Sequence, residues 1–494
     1  MNKIEKQFKE DFEKSQKTEL SFDTSKLEQG STHVRHKVRK RWILIPAISG
    51  GIVCSLVLGV SIAVYNSFTS DSVKEFKRQY TVQEIKIAEN NTFKKLNNVK
   101  YPNNSYAERS EMSQEEKSAY DNFASETYQS LFKSETTANT SYSLVNLYSV
   151  LNELEGAASF PSVESKLNSI LGLNRSQRKG FYSKVIKANS FGDENATTQI
   201  KNSAFFNYGL EYNPDYVSFL QDLYCEAYQI SFSKDANKMV EWVNKATNSS
   251  NFIDKDFLEL KDDTVLYLFS TMYFKHNWSN KYLSKNNTKA PFYLADGSDV
   301  TATFMQHTYF TEHYYDYDSY ISFQDYYYGG NSITYLIPKK VEDNIYDLTK
   351  GVNIFQEQEA NKKEMENHGR FKVELKTPKF KNKSDVDFKD CLFNLGLGDI
   401  YNPEIDSFHG AFTGEKAELY SFYLQTLKSR SEVEFNEDGT TVKNVTMGGM
   451  GGNTAINPHF DTLEVNLNQP FIYIIRDIND MPIFVGHVDN PNAK

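Results

Sequence analysis

The chain has 494 residues and a formal net charge of −10, too long for one ordinary domain. Its composition, 39% hydrophobic and 24% charged with 35 Phe and 32 Tyr, excludes a disordered chain and supplies a large core. Three cysteines exclude a disulfide framework.

Residues 1–41 are polar, rich in Lys, Glu and Ser, and read as a disordered cytoplasmic tail. They hold 11 Lys/Arg against 7 Asp/Glu, a charge of +4. Residues 42–64, WILIPAISGGIVCSLVLGVSIAV, carry no charge over 23 positions and show no polar face. At ~1.5 Å per residue they span a ~30 Å hydrocarbon core as one transmembrane helix. The RHKVRKR cluster at 35–41 places the N-terminus in the cytoplasm and the rest outside a plasma membrane. A cleaved signal would be shorter, nearer the start, and would end in a small-residue site. Residues 42–68 are uncharged, so the remainder carries −14. An acidic outer part of this kind makes a poor binder of nucleic acid.

Residues 65–112, with their NN and PNN clusters, read as an extracytoplasmic stalk holding at most one short helix. From there, 113–494, apolar periodicity runs to the end. SQEEKSAYDNFASETYQSLFK (113–133) opens on Ser113 as a cap, with Glu115 and Glu116 in the first turn, and is a predicted helix. KDANKMVEWVNKATN (234–248) is a second. TVLYLFSTMYF (264–274), SITYLIP (332–338), FKVELKTPKF (371–380) and FIYIIRD (471–477) are predicted strands. Without a regular βαβ alternation these argue for α+β with mixed or antiparallel sheets. Cys225 and Cys391 pair only if the fold brings them together, and two buried free thiols are the plainer reading.

Catalytic signatures are missing. The nine histidines show no HExxH and no zinc spacing, and neither GxSxG nor GxxxxGK[ST] occurs. Ser130 and Lys133 form an SxxK inside a predicted helix, with no KTG or SDN to follow. GGMGG (448–452) lacks GxGxxG and reads as flexible chain. No metal or cofactor is implied, and an enzyme is not expected.

From about 113 to 494 the sequence resembles the serpins, protease inhibitors that insert a loop into a sheet as a strand. NSAFFNYGLEYNPDYVSFL (202–220), NKMVEWVNKATNS (237–249) and TVLYLFSTMYFKHNWSNKY (264–282, with Trp278) are similar to successive family segments. So are TATFMQH (301–307), YYYGGNSITYLIP (326–338) and TPKFKNKSDVDFKDCLFNLGLGDIYNPEID (377–406), the last taken as a helix region. FNEDGTT (435–441) resembles the loop hinge and QPFIYIIRDINDMPIFVGHVDNP (469–491) the terminal strands. The Asn-, Lys-, Tyr- and Phe-rich composition suits a low-GC bacterium.

The resemblance implies a serpin fold: large sheets, N-terminal helices and an exposed reactive loop. A target protease would cut that loop and be trapped as an acyl-enzyme while the hinge enters the main sheet. The hinge falls on Glu437, Gly439, Thr440, Val442, Asn444 and Thr446. Side-chain alternation turns Thr440, Val442, Asn444 and Thr446 inward and Thr441, Lys443 and Val445 outward. Inhibitory members carry alanines over Val442 to Val445, so β-branched Val and an inward Asn444 are expected to slow insertion. Seventeen residues from Glu437 place the scissile bond between Asn453 and Thr454, whereas counting back from Pro470 points nearer His459. No Lys or Arg lies between 444 and 469, which argues against a trypsin-like target and for another serine- or cysteine-type protease. Ser270 and Ser429 fall where the family places an Asn and a His across the opening strands, with Asn146 nearby and Trp278 in place. The implied protein is a membrane-tethered monomeric inhibitor, and the alternative is a non-inhibitory surface binding or adhesion module.

Overall fold

The computed structural model describes residues 93–132, 139–356, 361, 370–440 and 461–493. Residues 42–64 and the Asn453 to Thr454 bond lie outside the described residues, as do Val442, Asn444 and Thr446. Among the described residues no helix is long and apolar enough to cross a membrane.

Local signals place the early helices. Ser113 accepts from the Glu116 amide while the Glu116 carboxylate accepts from the Ser113 amide, a reciprocal cap that starts helix Gln114–Leu131. Helix Leu144–Ala157 follows with twelve of its fourteen residues buried, an apolar rod behind the sheets rather than a surface helix. Helix Phe232–Ala246 is amphipathic and lays Met239, Val243 and Trp242 on Phe205, Tyr228 and Phe269 of the main sheet.

Three sheets carry the rest, with a small two-stranded pair beside them. The main sheet runs Phe93–Lys95, Cys225–Ile230, Ala196–Asn207, Leu266–Asn277, Gly439–Thr440, Lys428–Asn436 and Phe380–Asp387, with Ser190–Gly192 paired beside it. A six-stranded sheet holds the near-continuous apolar strands Ser332–Pro338, Phe471–Arg476 and Pro482–Val488, buried on both faces. A four-stranded sheet joins Thr462–Asn466, Phe371–Pro378, Asp299–Thr311 and Thr288–Tyr293. The helix read over 113–133 is Gln114–Leu131 with Ser113 as its cap, and the strand at 332–338 stands as expected. The strand read over 371–380 divides at Lys379, because the chain there leaves the four-stranded sheet for the main one. The helix region read over 377–406 accordingly begins as strand Phe380–Asp387 and turns helical only at Lys389–Asn394.

The stretch read as a stalk differs in its described part. Phe93–Lys95 pairs antiparallel with Cys225–Ile230 at the rim of the main sheet. Asn97 donates to Cys225 O and accepts from the Ala227 amide, and the Tyr101 hydroxyl accepts from the Asn202 amide and donates to Tyr224 O. Ala107 and Met112 are buried. Residues 93–112 thus belong to the folded body, and they contain no helix.

Cys225 and Cys391 are both buried and free. The Cys225 thiol is pushed well up by burial, with the Glu153 carboxyl beside it, and Cys391 faces Thr127 O.

Candidate functional site

Two strands of the main sheet, Leu266–Asn277 and Lys428–Asn436, do not pair with each other. Each is hydrogen-bonded to its outer neighbour, Ala196–Asn207 and Phe380–Asp387 respectively. Between them only Gly439–Thr440 is inserted, at the end where Asn277 and Asn436 lie. Below Phe274, strands Leu266–Asn277 and Lys428–Asn436 share no ladder pair among the described residues, and both line a cavity of about 330 Å³. Backbone N–H and C=O groups seek partners, so the two edges facing this gap are chemically suited to take a strand between them.

Its upper end is closely fitted. Lys428–Asn436 turns through Glu437 and Asp438 into Gly439–Thr440, in register Phe435 with Thr440 and Asn436 with Gly439. Gly439 has φ +154°, and a β-carbon there would stand 1.9 Å from the His276 carbonyl oxygen, so no side chain fits. Thr440 points inward, its hydroxyl 2.8 Å from that of Tyr327. Trp278 is buried, stacks on Tyr327 at 4.7 Å, and donates from its indole to Asn436 O at 2.9 Å. His276 lies beneath, 2.8 Å from the Thr198 hydroxyl and stacked on Phe274. Burial pushes its imidazole down to about 3. Burial works to raise the Glu437 carboxyl, yet Lys379 at 2.8 Å and the Asn287 amide hold it below the ordinary carboxylate range.

The lower end is polar. Ser270 and Asn146 line the cavity, and Ser270 Oγ and Asn146 Oδ1 are buried without a hydrogen-bond partner. Ser429 lies across the gap in the strand register opposite Val386. The linked hydroxyl cluster is instead built by Ser141, Ser384 and Ser431. Ser431 and Ser384 both donate to Ser141 O at 2.9 Å, and the Ser141 and Ser431 hydroxyls are 2.7 Å apart. Sequence reading missed this trio, because strand register alone brings 141, 384 and 431 together. The available signal was Ser431 itself, two residues from Ser429 and therefore on the same face.

A third feature crosses the outside of the gap. Arg430 forms a two-pronged pair with Asp385 at 2.7 and 2.6 Å, and its guanidinium sits 4.4 Å over the Phe257 ring. Lys428 meets Glu259 at 2.5 Å, and Gln425 joins Thr264 and Asp263. The connection between helix Phe232–Ala246 and strand Leu266–Asn277 is thereby stitched to the opposite side.

The family model described as Serpin (serine protease inhibitor) matches residues 118–491. The chain belongs to the serpin family. Serpin-Z2A of Triticum aestivum is 26% identical over 385 residues, covering 72% of this chain and 91% of that protein. Antithrombin-III of Homo sapiens is 26% identical over 305 residues, covering 59% and 62%. Among solved structures, the thermophilic serpin tengpin in its native state is 19% identical with a TM-score of 0.65, covering 79% of this chain and 97% of that one. Thyroxine-binding globulin complexed with thyroxine is 20% identical with a TM-score of 0.59, covering 76% and 99%. The serpin fold is thus shown, and serpins are in general inhibitors of proteases rather than catalysts.

Proposed function

We propose that this serpin inhibits a serine- or cysteine-type protease that is not trypsin-like. The observation that carries the reading is the seating of Gly439–Thr440 at the head of the loop, paired antiparallel with Lys428–Asn436 on one side and Leu266–Asn277 on the other. The protease nucleophile attacks the Asn453 carbonyl carbon, the bond to Thr454 breaks, and the new amine leaves with a proton while Asn453 stays esterified. The freed loop then zips downward from Thr440, gaining ladder hydrogen bonds on both sides. About twelve residues at ~3.3 Å each carry the enzyme ~40 Å.

In this reading residues 1–41 are cytoplasmic and 42–64 cross the plasma membrane. The inhibitory body then stands outside as a monomer, bound by a tether upstream of Phe93. The test uses the full chain in detergent. Thermal unfolding is followed before and after a broad-specificity protease nicks the loop, and protease mixtures are examined for a covalent adduct that survives denaturation. A large rise in Tm on nicking together with an adduct supports inhibition. No rise and no adduct would replace it with a non-inhibitory binding or adhesion module.

A further inference from the structure

The cavity beside Ser270 reaches beyond the two strands that flank it. Helix Leu144–Ala157 lines it with Leu147 and Val150, and helix Phe232–Ala246 lines it with Val243. All three side chains are buried. Phe252, Phe388 and Phe484 add aromatic rings, so the walls suit a flat apolar body. Asn248, just past the end of the second helix, belongs to the same lining and is exposed, so the cavity opens to solvent there.

Charge is already settled along this lining. Its charged residues among those described are Lys428, Arg430 and Glu432, paired with Glu259, Asp385 and Lys383 respectively. An ionised ligand would find no open counter-charge, and burying it unpaired is costly. Hydrogen bonding is not settled. Ser143 Oγ donates to Ile483 O at 3.2 Å and Ser431 Oγ to Ser141 O at 2.9 Å, but Ser270 Oγ and Asn146 Oδ1 are buried with no hydrogen-bond partner. A carboxamide oxygen only accepts, whereas a serine hydroxyl both gives and accepts. One hydroxyl on a ligand can therefore donate to Asn146 Oδ1 and accept from Ser270 Oγ.

The volume sets the size. At about 330 Å³ the cavity is roughly twice the ~150 Å³ apolar cavity that holds benzene, and it falls in the range of ~300–1,000 Å³ typical of small-molecule sites. We propose that it binds an uncharged aromatic alcohol of roughly fifteen non-hydrogen atoms. The ring lies among the phenylalanines and the hydroxyl on Ser270 and Asn146. The inference goes beyond the inhibitory reading, since it concerns the uncut protein and holds whether or not the loop inserts.

The probe is benzyl alcohol carrying a trifluoromethyldiazirine, photolysed with the uncut full chain in detergent and mapped by peptide mass spectrometry. Label is expected within residues 143–150 and 267–274, which line the cavity, and excess trifluoromethylbenzyl alcohol should suppress it. The benzoate carrying the same diazirine should label this region about tenfold less. Ser270→Ala should cut labelling by the alcohol about tenfold, the worth of one hydrogen bond, and leave labelling by the corresponding toluene unchanged. Asn146→Ala, read the same way, tests the hydroxyl a second time. Label indifferent to the competitor, benzoate that labels as strongly as the alcohol, or labelling by the alcohol that survives both substitutions would overturn the site.

Discussion

At its upper end the gap between Leu266–Asn277 and Lys428–Asn436 is closed by Gly439–Thr440 and packed with the rings of Trp278, Tyr327, His276 and Phe274. At its lower end the same two strands face each other across Ser270 Oγ and Asn146 Oδ1, which lack hydrogen-bond partners, and long side chains on the outside join the two banks. The upper end has traded freedom for a seated hinge. The lower end is lined by Ser270, Ser429 and Asn146, while each of the two strands is paired along its outer side. On the proposed insertion, further ladder bonds would form at the lower end, and the upper end decides where filling begins.

The largest effect on this contrast should come from Gly439→Val. A β-carbon would collide with backbone rather than with a yielding side chain, so the seated pair must leave. Most of the Tm rise on nicking should vanish, as calorimetry would read. Next, Trp278→Ala should destabilise the uncut protein by about 3–5 kcal/mol, because the buried ring also holds the Asn436 carbonyl. A smaller loss would mean that Tyr327 alone organises the upper end.

The third prediction uses acid. His276 is held at about 3 in the folded protein, below its ordinary value of about 6.5. The unfolded chain therefore takes up that proton first. The stability that neutral His276 allows is present above about pH 6.5 and is lost progressively as pH falls toward 3. Glu153 acts in the opposite sense, since burial raises it to about 8 and its penalty grows as pH rises. Denaturant midpoints of wild type and His276→Gln, compared at pH 7 and pH 4, should differ more steeply for wild type. Parallel pH slopes would remove His276 from the argument.

The smallest effect is expected at the stitch. Arg430→Ala removes one carboxylate pair and one ring contact that are partly exposed, worth about 1 kcal/mol together. Its direction is the informative part: the two banks should separate more readily, so the nicked loop should insert faster. Slower insertion would show that Arg430 guides the strand instead of restraining the gap.

Much of this was legible in the sequence, for reasons that differ by residue. Ser113 and Glu116 announce a cap by spacing, and Gly439 with Thr440 falls in a segment whose likeness to a hinge is written in contiguous residues. Trp278 was likewise carried by the local stretch around it. The hydroxyl trio was not, because Ser141, Ser384 and Ser431 meet through two strand registers that no short pattern encodes. Lys379 hides a change of sheet inside a run that alternates without a break. Residues 93–112 look like linker because their attachment uses Asn97 and Tyr101 as backbone clips rather than an apolar stripe.

Long unprotected strand rims invite pairing by any extended segment, including that of a neighbouring molecule. Phe93–Lys95 covers the rim offered by Cys225–Ile230, with the Lys95 ammonium on Glu226 and the Leu96 amide donating to Ala227 O. That margin is thereby reduced to a three-residue strand, a short edge of the kind that blunts edge-to-edge pairing. At the far margin, Phe380–Asp387, cross-strand ion pairs of Lys381 with Glu434, Lys383 with Glu432 and Asp385 with Arg430 put charge along the edge. The polypeptide leading into the body thus serves as its guard against chain-to-chain growth.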